Sequence, residues 1–443
     1  MTIPVQYVGR FVYHFSHIDN LPGLLRNNFL ATNHPLFPTR HRSIAASGIQ
    51  ERRARMSVSC APGHCVHDYV PLYFGSLSPM LLSVLHTKNI DQCDILYFEF
   101  PIELVNQPDT VFTDASANTL VPPNFYSDPS HLDKLDWDAI DSLKWGNPDD
   151  NYRHRRMAEI LVLQQLSLTD AVRCVVWNEK TKKHVEQVVG DSPFPTIQFE
   201  SKERRHFYTN IELKDNSSLI IGPNQIAGRF SGICQKISEH LDAEVFSKKA
   251  QFEDLNALLL GLRENFGCIP YTAELVGLKS ANGMHKQTVD VHTLDVVQRL
   301  IVLDEYTALD DEAKKILEIA AYLHDVGKGP QSRWVTNGGI QRVDPNHPVG
   351  ALPMVLEILT GYIQTFSLAS AKQLLKLVCY HDLVGDVLGR GRNEQQIIDV
   401  VEDETELAML FAIGKADATS LVEHWWDQSE ANQLYDRCLA AIK

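Results

Sequence analysis

The chain contains 443 residues, of which 44% are hydrophobic and 22% charged, and its formal net charge is -15 at pH 7. This length exceeds one ordinary hydrophobic core and predicts two domains or three small ones, while the composition is that of a folded protein and excludes a disordered or fibrous chain. No apolar run approaches the roughly 20 residues that cross a bilayer, and the N-terminus lacks a basic region followed by an apolar segment, so we expect a cytoplasmic protein that makes no membrane contact.

The charge is distributed unevenly along the chain. Residues 1–210 contain 20 Lys and Arg against 23 Asp and Glu, whereas residues 211–443 contain 21 against 33. The N-terminal part also carries clustered arginines, in RHRSIAASGIQERRAR (40–55) and RHRR (153–156). Such clusters can hold the phosphates of a nucleic acid, although by themselves they are more often a solvated helix face.

The eight cysteines are spread thinly, which is typical of free thiols and argues against a disulfide framework. One group, formed by Cys60, His64, Cys65 and His67 in CAPGHCVH, offers side chains that zinc binds. Its spacing matches no common zinc pattern, so a zinc site is a minor alternative there.

Short strand-like segments alternate with helical ones over the first 190 residues. The strand-like segments are rich in aromatic and β-branched residues and include FVYHF, ILYFEF and RCVVWNE; the helical ones include SPMLLSVLHT and KTKKHVEQVV. This pattern predicts an α+β domain over residues 1–190. Within it, the stretch from 105 to 150 has little periodicity, and such a long loop is often a functional segment that recognises a substrate or covers a site.

Residues 191–206 are rich in proline and charged residues, which predicts a linker. The next segment, FYTNIELKDNSSLIIG, predicts a β-hairpin around KDNSS. We therefore assign residues 191–230 to a linker with a hairpin. From 231 to 443, apolar residues recur at three- and four-residue spacing, which predicts a mostly α-helical domain. The expected fold class is a multi-domain protein with an α+β domain followed by a helical bundle.

One carboxylate, Glu159, stands in the apolar run of RRMAEILV directly after basic residues. Burying a lone ionised carboxylate is costly, so this position should make use of its charge. A histidine-bearing strand in YHFSHIDN, an arginine in IQERRARMSV and the block DYVPLYFGSLSPML precede it in that order. Over residues 5–190 this order resembles the DarT family of DNA ADP-ribosyltransferase toxins, and the long DYVPLYF block is the specific part of the resemblance.

The resemblance implies an α+β ADP-ribosyltransferase-like domain that uses NAD to modify a base, thymidine, in single-stranded DNA. It implies that Glu159 is the catalytic glutamate and Arg53 the essential arginine, with Arg52 as the alternative. The residues that it implies for NAD binding are His14, Ser16, Asn20, Arg53 and Tyr73. A serine stands at position 16 where threonine is usual, and both supply a hydroxyl.

The resemblance also implies that the 105–150 segment reads the target base. The aromatic residues Phe125, Tyr126 and Trp137 in this segment are candidate stacking contacts for DNA. Without the resemblance, a glutamate paired with Arg155 or Arg156 at a strand edge would be an equally good interpretation of Glu159.

The helical half carries histidines and aspartates in or at the ends of separate apolar helices. They are His292, His324, Asp325, His347, His381 and Asp417. Imidazoles with carboxylates form the mixed ligand set of Mn, Fe or Mg. Their order, with HDVGKG at its centre, resembles the HD-domain metal-dependent phosphohydrolases over residues 270–425. The resemblance implies one or two ions held by these six residues, and a catalytic Lys328 near the phosphate.

The favoured interpretation is an NAD-dependent DNA ADP-ribosyltransferase of the toxin–antitoxin type, fused to a metal-dependent phosphohydrolase. The second domain would reverse, process or regulate the modification by acting on a phosphorylated or ADP-ribosylated nucleotide. The alternative is a nucleotide phosphohydrolase whose N-terminal part is a catalytically degenerate module that binds nucleic acid. A purely structural protein would not need six metal-type residues in motif order.

Overall fold

The computed structural model describes residues 3–44, 47–118, 122–144, 149–210, 217–243, 250–281, 283 and 287–443. The chain divides into two compact units. The first comprises residues 1–86 and 90–220, and the second comprises residues 87–89 and 221–443. Among the described residues, no helix is long and apolar enough to cross a membrane.

The first unit combines a mixed β-sheet with short helices. Its strands are β1 (Phe11–His17), β2 (Phe29–Leu30), β3 (Tyr69–Tyr73), β4 (Ile95–Pro101), β5 (Thr110–Thr113), β6 (Phe125–Tyr126), β7 (Glu159–Leu163), β8 (Gln165–Leu166), β9 (Arg173–Val176) and β10 (Thr196–Phe199). Its helices are α1 (Leu21–Asn27), α2 (Ser47–Arg55), α3 (Pro79–His86), α4 (Trp137–Ile140), α5 (Asp150–Arg155) and α6 (Glu179–Val189).

In the described part of this unit, eight strands form one sheet in the order β10-β9-β4-β1-β3-β7-β5-β6, and β2 pairs with β8 separately. The pairing is antiparallel except between β9 and β10. Side chains of alternate positions enter different cores: Phe98 belongs to one hydrophobic cluster and Tyr97 to another. Because both faces are covered, β4 is buried along nearly its whole length, as its apolar sequence requires.

The sheet is split between its two central strands. β1 and β3 pair at one position, Tyr13 opposite Tyr73, whereas β3 pairs with β7 over five positions. Beyond Tyr13 the gap is crossed by a side chain, since the His14 Nδ1 lies 2.8 Å from the Pro71 carbonyl oxygen. This split opens the space in which the first candidate site lies.

The second unit is mostly helical. Its helices are α7 (Pro223–Asp242), α8 (Leu255–Glu264), α9 (Pro270–Ala273), α10 (Val289–Leu300), α11 (Asp304–Thr307), α12 (Asp311–Leu323), α13 (His347–Tyr362), α14 (Leu368–Tyr380), α15 (Leu383–Arg390), α16 (Gln395–Val400), α17 (Glu404–Leu421) and α18 (Gln428–Ile442). Two short parallel strands, β11 (Lys279–Ser280) and β12 (Ile340–Gln341), accompany them.

Helix α12 lies at the centre of this bundle and packs against α8, α10, α14 and α17. It begins where the Asp310 carboxylate accepts a hydrogen bond from the Ala313 N–H, which satisfies one of its free backbone donors. Almost every residue of its second half is buried, and the helix ends at His324. The predicted fold class, an α+β N-terminal domain followed by a mostly helical C-terminal one, is confirmed.

Two segments differ from their sequence-based descriptions. In the 191–230 segment, Thr196–Phe199 forms edge strand β10, and Phe207 and Tyr208 are buried in the first unit. The hairpin predicted around KDNSS (214–218) falls partly on residues 211–216, which lie outside the described residues; Thr209 and Ser218 are paired antiparallel. The 105–150 stretch contains β5, β6 and α4, which are too short to leave a periodic signal.

Candidate active sites

The Glu159 side chain is fully buried at the first position of β7. Its partner is Arg53 of α2, whose Nη1 donates hydrogen bonds to both carboxylate oxygens at 3.0 and 2.9 Å. The backbone N–H of Ala117 adds a third bond to Oε1, at 2.9 Å. Because three hydrogen bonds from two donors converge on it, this carboxylate is held in one orientation inside the protein.

The neighbouring basic residues of RRMAEILV do not pair with Glu159. Arg155 donates to the Asp136 carboxylate at 2.8 Å, and Arg156 donates to the backbone oxygens of Lys144 and Leu77. The pairing of Glu159 with Arg155 or Arg156 at a strand edge is therefore not what the structure shows.

A cavity of about 390 Å³ lies in the split of the sheet. Four of the residues predicted to bind NAD line it: His14, Ser16, Asn20 and Arg53. Arg53 thus contacts Glu159 on one side and borders the cavity on the other, and its buried Nη2 has no hydrogen-bond partner among the described residues. A buried guanidinium nitrogen without an acceptor is unusual and is available to a ligand.

His14 presents a neutral ring to this cavity. Burial lowers the pKa of His14 to about 4, so the imidazole is uncharged at neutral pH. A carbonyl oxygen only accepts hydrogen bonds, so the Nδ1 beside Pro71 carries the proton and Nε2 has a free lone pair. Nε2 can therefore accept a hydrogen bond from a hydroxyl such as those of a ribose.

Asn20 connects the segment around Arg42 to β1 through hydrogen bonds. Its amide donates to the Arg42 carbonyl oxygen at 3.0 Å and to the Ser16 hydroxyl at 3.1 Å, and it accepts from the Arg42 N–H at 2.8 Å. Tyr73 lies opposite Glu159 on β3, and its hydroxyl is 2.7 Å from the Met80 sulfur. Burial raises the pKa of Tyr73, so the phenol is neutral.

A separate cavity of about 700 Å³ in the first unit is bordered by Arg52, Asn118, His154 and Arg155. Arg52 donates to the carbonyl oxygen of Asn118 at 2.9 Å, and Asn118 directly follows Ala117, whose backbone N–H binds Glu159. Two of the aromatic residues considered for stacking on DNA have packing roles instead. Phe125 is buried in a hydrophobic cluster, and Trp137 stacks on Tyr7 with ring centroids 4.7 Å apart.

In the second unit, the six residues predicted to bind metal converge at the ends of their helices. The groups whose ligand atoms lie within 4.8 Å of one another are His292, His324 and Asp325; Asp325, His347 and His381; and His381, Asp382 and Asp417. Asp325 joins the first two groups: its Oδ2 is 3.6 Å from the His292 Nε2, and its Oδ1 is 3.2 Å from the His347 Nε2.

The histidine rings of this cluster are oriented with Nε2 toward its centre. The Nδ1 atoms of His324, His347 and His381 lie 2.7, 2.8 and 2.8 Å from backbone carbonyl oxygens and so carry the proton in the neutral rings. The Nε2 atoms of His347 and His381 nevertheless lie 3.2 Å apart. Two lone pairs that face each other this closely need a cation between them, so these residues fit a metal ion.

Two buried atoms of the cluster support the same conclusion. Neither the His324 Nε2 nor the Asp325 Oδ1 has a well-aligned hydrogen-bond partner among the described residues, although both residues are fully buried. Burial lowers the pKa of His324, but the nearby Asp325 and Asp417 carboxylates outweigh it and raise this pKa to about 9. Binding of a metal ion at neutral pH must therefore displace a proton from His324.

Lys328 and Asp382 complete the surroundings of the cluster. The Lys328 Nζ is largely buried and donates to the Asp325 Oδ2 at 2.6 Å, so it holds this carboxylate in place. Asp382 was not among the residues predicted to bind metal. A second His-Asp dipeptide, His381 and Asp382 in CYHDLVGD, repeats the pattern of His324 and Asp325 and was the signal that could have identified it.

The zinc-type group of the first unit does not gather into a site. The metal-type groups found among the described residues lie in the second unit. In the first unit, the Cys65 sulfur instead accepts a hydrogen bond from the Asn33 amide at 3.3 Å, and Asp68 bonds to the Cys65 N–H at 3.0 Å.

Gly327 is needed for close packing beside the cluster. A Cβ at this position would lie 2.0 Å from the His347 carbonyl oxygen and 2.8 Å from the Ala351 nitrogen. We expect Gly327→Ala to displace the first turn of α13, lower the free energy of unfolding by about 1–3 kcal/mol and weaken metal binding through His347. Thermal unfolding of the full chain, with and without Mn²⁺, measures both effects.

Gly385→Ala is the matched control for this substitution. Gly385 lies within α15, and among the described residues no atom beyond its chain neighbours and the adjacent helix backbone lies within 4 Å of a Cβ built there. Alanine should leave the stability unchanged or raise it by about 0.5–1 kcal/mol. Equal unfolding temperatures for the two variants would contradict the packing role of Gly327.

Comparison with known proteins identifies the family of the first unit. A family model described as "ssDNA thymidine ADP-ribosyltransferase, DarT" matches residues 13–209. A DNA ADP-ribosyl transferase from Thermus sp. (strain 2.9) is 34% identical over 187 residues, which are 41% of this chain and 88% of the relative. The chain belongs to the DarT family. A DNA ADP-ribosyl transferase from Thermus aquaticus is 35% identical over 161 residues, 35% of this chain and 69% of the relative.

Among solved structures, Thermus sp. 2.9 DarT in complex with ADP-ribosylated ssDNA has 31% sequence identity and a TM-score of 0.41, and the match covers 46% of this chain and 99% of that one. The DarT match contains all the residues predicted for transfer, from His14 to Glu159. A model described as "HD domain" matches residues 289–401, which include His292 and His381 but not Asp417. Both predicted resemblances are confirmed.

Proposed function

We propose that the first unit transfers ADP-ribose from NAD to a thymidine base in single-stranded DNA. The observation that carries this proposal is the buried Glu159, which is bound by Arg53 at the edge of a cavity lined by His14, Ser16 and Asn20. We assign the transferase to residues 1–190, together with the part of the 191–230 segment that packs onto it. Membership of the DarT family supports the substrate class.

The reaction needs a stabilised cation and an activated base. The bond between nicotinamide and the ribose C1′ breaks, and its electron pair leaves with nicotinamide. Glu159 then lies where positive charge develops on the ribose and stabilises it. The thymine N3 forms the new bond to C1′ after losing its proton to Glu159, directly or with Arg53 as a relay.

The target base must reach this site unpaired, because a thymine N3 engaged in base pairing is not accessible. The cavity bordered by Arg52, Asn118 and Arg155 offers guanidinium groups for the phosphates of a single strand. We infer that the 105–150 segment, which supplies Asn118 and the Ala117 N–H, reads the base.

Mass spectrometry tests the proposal directly. The full chain is incubated with NAD and with single-stranded oligonucleotides that contain or lack thymidine. We expect a mass increase of one ADP-ribosyl group only on oligonucleotides with thymidine, together with release of nicotinamide. A modification of duplex DNA alone, or none on any oligonucleotide, would contradict it.

Arg52 and Arg53 should have separable roles. Arg53→Ala removes both hydrogen bonds from Nη1 to Glu159, and we expect transfer to fall by about 10²-fold or more in kcat. Arg52→Ala should instead weaken oligonucleotide binding and its salt dependence while nearly preserving kcat. Steady-state kinetics at two salt concentrations distinguish these outcomes. The two roles would be reversed if Arg52→Ala lowered kcat and Arg53→Ala left it unchanged.

We propose that the second unit is a metal-dependent phosphohydrolase that binds one or two ions of Mn, Fe or Mg. His292, His324, Asp325 and Asp417 would hold one ion, and Asp325, His347 and His381 a second. A divalent ion there lowers the pKa of bound water and offsets charge on phosphoryl oxygens. The Lys328 ammonium holds the Asp325 carboxylate and adds positive charge beside the phosphate position.

The chemistry of the first unit offers one candidate substrate for the second. ADP-ribose carries a pyrophosphate, so hydrolysis by the second unit would trim the modification and act as a built-in antidote. The alternative is that it degrades or senses a free nucleotide and regulates the transferase. Glu159→Ala protein with Mn²⁺, given ADP-ribosylated oligonucleotide, separates these roles, since an unchanged adduct argues against the antidote.

The degenerate-module alternative is weaker than the two-enzyme proposal. A first unit that only bound nucleic acid would not need a fully buried Glu159 held by Arg53 at the edge of a cavity. NAD consumption by the full chain, with and without single-stranded oligonucleotide, distinguishes the two proposals.

A further inference from the structure

Asp382 lies beside the metal-type cluster without being part of the set of six. It follows His381 directly, and its Oδ1 is 3.5 Å from the His381 Nε2. The ligand atoms of His381, Asp382 and Asp417 lie within 4.8 Å of one another. An aspartate at the start of a helix usually accepts a hydrogen bond from the helix backbone, but the Asp382 side chain forms no such cap on α15. Its own helix therefore leaves this carboxylate free for another partner.

We infer that Asp382 is a direct ligand of the metal ion that His381 binds. The inference rests on the metal dependence proposed for the second unit. Nitrogen and oxygen ligands lie about 2.0–2.2 Å from such an ion, which places adjacent ligands of one ion about 3 Å apart and opposite ligands about 4 Å apart. The 3.5 Å separation of the Asp382 Oδ1 and the His381 Nε2 falls within that interval.

Ligation by Asp382 would affect which metal ion the site prefers. In the group that contains Asp382, His381 contributes the imidazole and Asp417 contributes a second carboxylate. Two carboxylates make this position hard and negative, which favours Mn or Mg over softer ions.

The other partner of Asp382 is Lys88, of the three-residue segment that groups with the second unit. The Lys88 Nζ lies 3.9 Å from the Asp382 Oδ2 but 3.4 Å from the Asp386 Oδ2, so its closer partner is Asp386. The Asp382 carboxylate thus has Oδ2 toward Lys88 and Oδ1 toward His381. Lys88 orients the carboxylate, and the oxygen that faces the cluster remains available to the ion.

Mn²⁺ binding to the full chain tests this inference. Protein stripped of metal is titrated with Mn²⁺, and free Mn²⁺ is followed by electron paramagnetic resonance. We expect Asp382→Asn to weaken Mn²⁺ binding by at least about 10-fold and Asp382→Glu to restore part of the loss. Asp386→Asn is the matched control, because it removes the closer partner of Lys88 one turn further along α15 and should leave Mn²⁺ affinity unchanged.

The controls separate metal ligation from a structural ion pair. Thermal unfolding in the presence of a chelator compares folding of the variants without any ion. If Asp382→Asn binds Mn²⁺ as wild type does, or if Asp386→Asn and Lys88→Met weaken binding as much, the inference is overturned. Wild-type protein that binds no Mn²⁺ would instead overturn the proposed metal dependence itself.

Discussion

Glu159→Gln should reduce ADP-ribosyl transfer to DNA by about 10²- to 10³-fold or more, because the amide cannot stabilise the ribose cation as a carboxylate does. The substitution keeps the size of the side chain. It removes the charge that Arg53 and the Ala117 N–H hold in place. Transfer is measured with radiolabelled NAD and a thymidine-containing oligonucleotide, and the loss should appear in kcat.

Glu99→Gln is the control for the loss of a buried carboxylate. Glu99 lies in β4 of the same sheet, is as buried as Glu159, and pairs with Arg173 and Arg204. Neither of these arginines lines the cavity that contains His14, whereas Arg53, the partner of Glu159, does. Both variants should unfold at a lower temperature than wild type, but only Glu159→Gln should lose transfer. Retained transfer in Glu159→Gln would remove the basis of the proposed mechanism.

The partner of Glu159 shows what the sequence alone leaves undetermined. The apolar run around Glu159 indicates a buried strand, and the structure places it in β7. Its nearest basic residues in sequence are Arg155 and Arg156, whereas the residue that binds it is Arg53, 106 positions away. Sequence spacing predicts which residues are neighbours within one helix or strand. Because α2 and β7 come together only in the folded domain, spacing could not pair Arg53 with Glu159. The family motif, not the local pattern, was what indicated Arg53.

In the second unit, more of the site could be predicted from the sequence than in the first. The apolar periodicity of α12 predicts its helix, and His324 and Asp325 follow its last residue, as the sequence indicated. The helices carry their ligands at ends that meet, so motif order was enough to name six residues. The orientation of the rings depends on carbonyl oxygens such as that of Val378, which have no signature in the sequence. The family motif contains one His-Asp pair, so it did not name Asp382, which belongs to a second His-Asp pair in the sequence.

The metal cluster leads to the second large effect. Asp325→Asn should abolish phosphohydrolase activity, since Asp325 offers oxygens to both His292 and His347 and is the residue shared by two of the ligand groups. It should also leave the buried Lys328 ammonium without its carboxylate. Loss of one partner of a buried pair costs about 3–5 kcal/mol, so unfolding must be measured alongside activity. The activity is measured as hydrolysis of nucleoside phosphates in the presence of Mn²⁺.

Glu318→Gln provides the comparison that separates metal loss from destabilisation. Glu318 is a buried carboxylate of α12 that accepts two hydrogen bonds from Arg263, at 2.7 and 2.6 Å, and it belongs to none of the ligand groups. Its loss should lower stability but preserve Mn²⁺-dependent hydrolysis in the folded protein. Chelation of metal from wild type should reproduce the activity of Asp325→Asn while ADP-ribosyl transfer by the first unit continues. If chelation also stopped transfer, the two activities would share a requirement for the ion, and the independent chemistry proposed for Glu159 would be wrong.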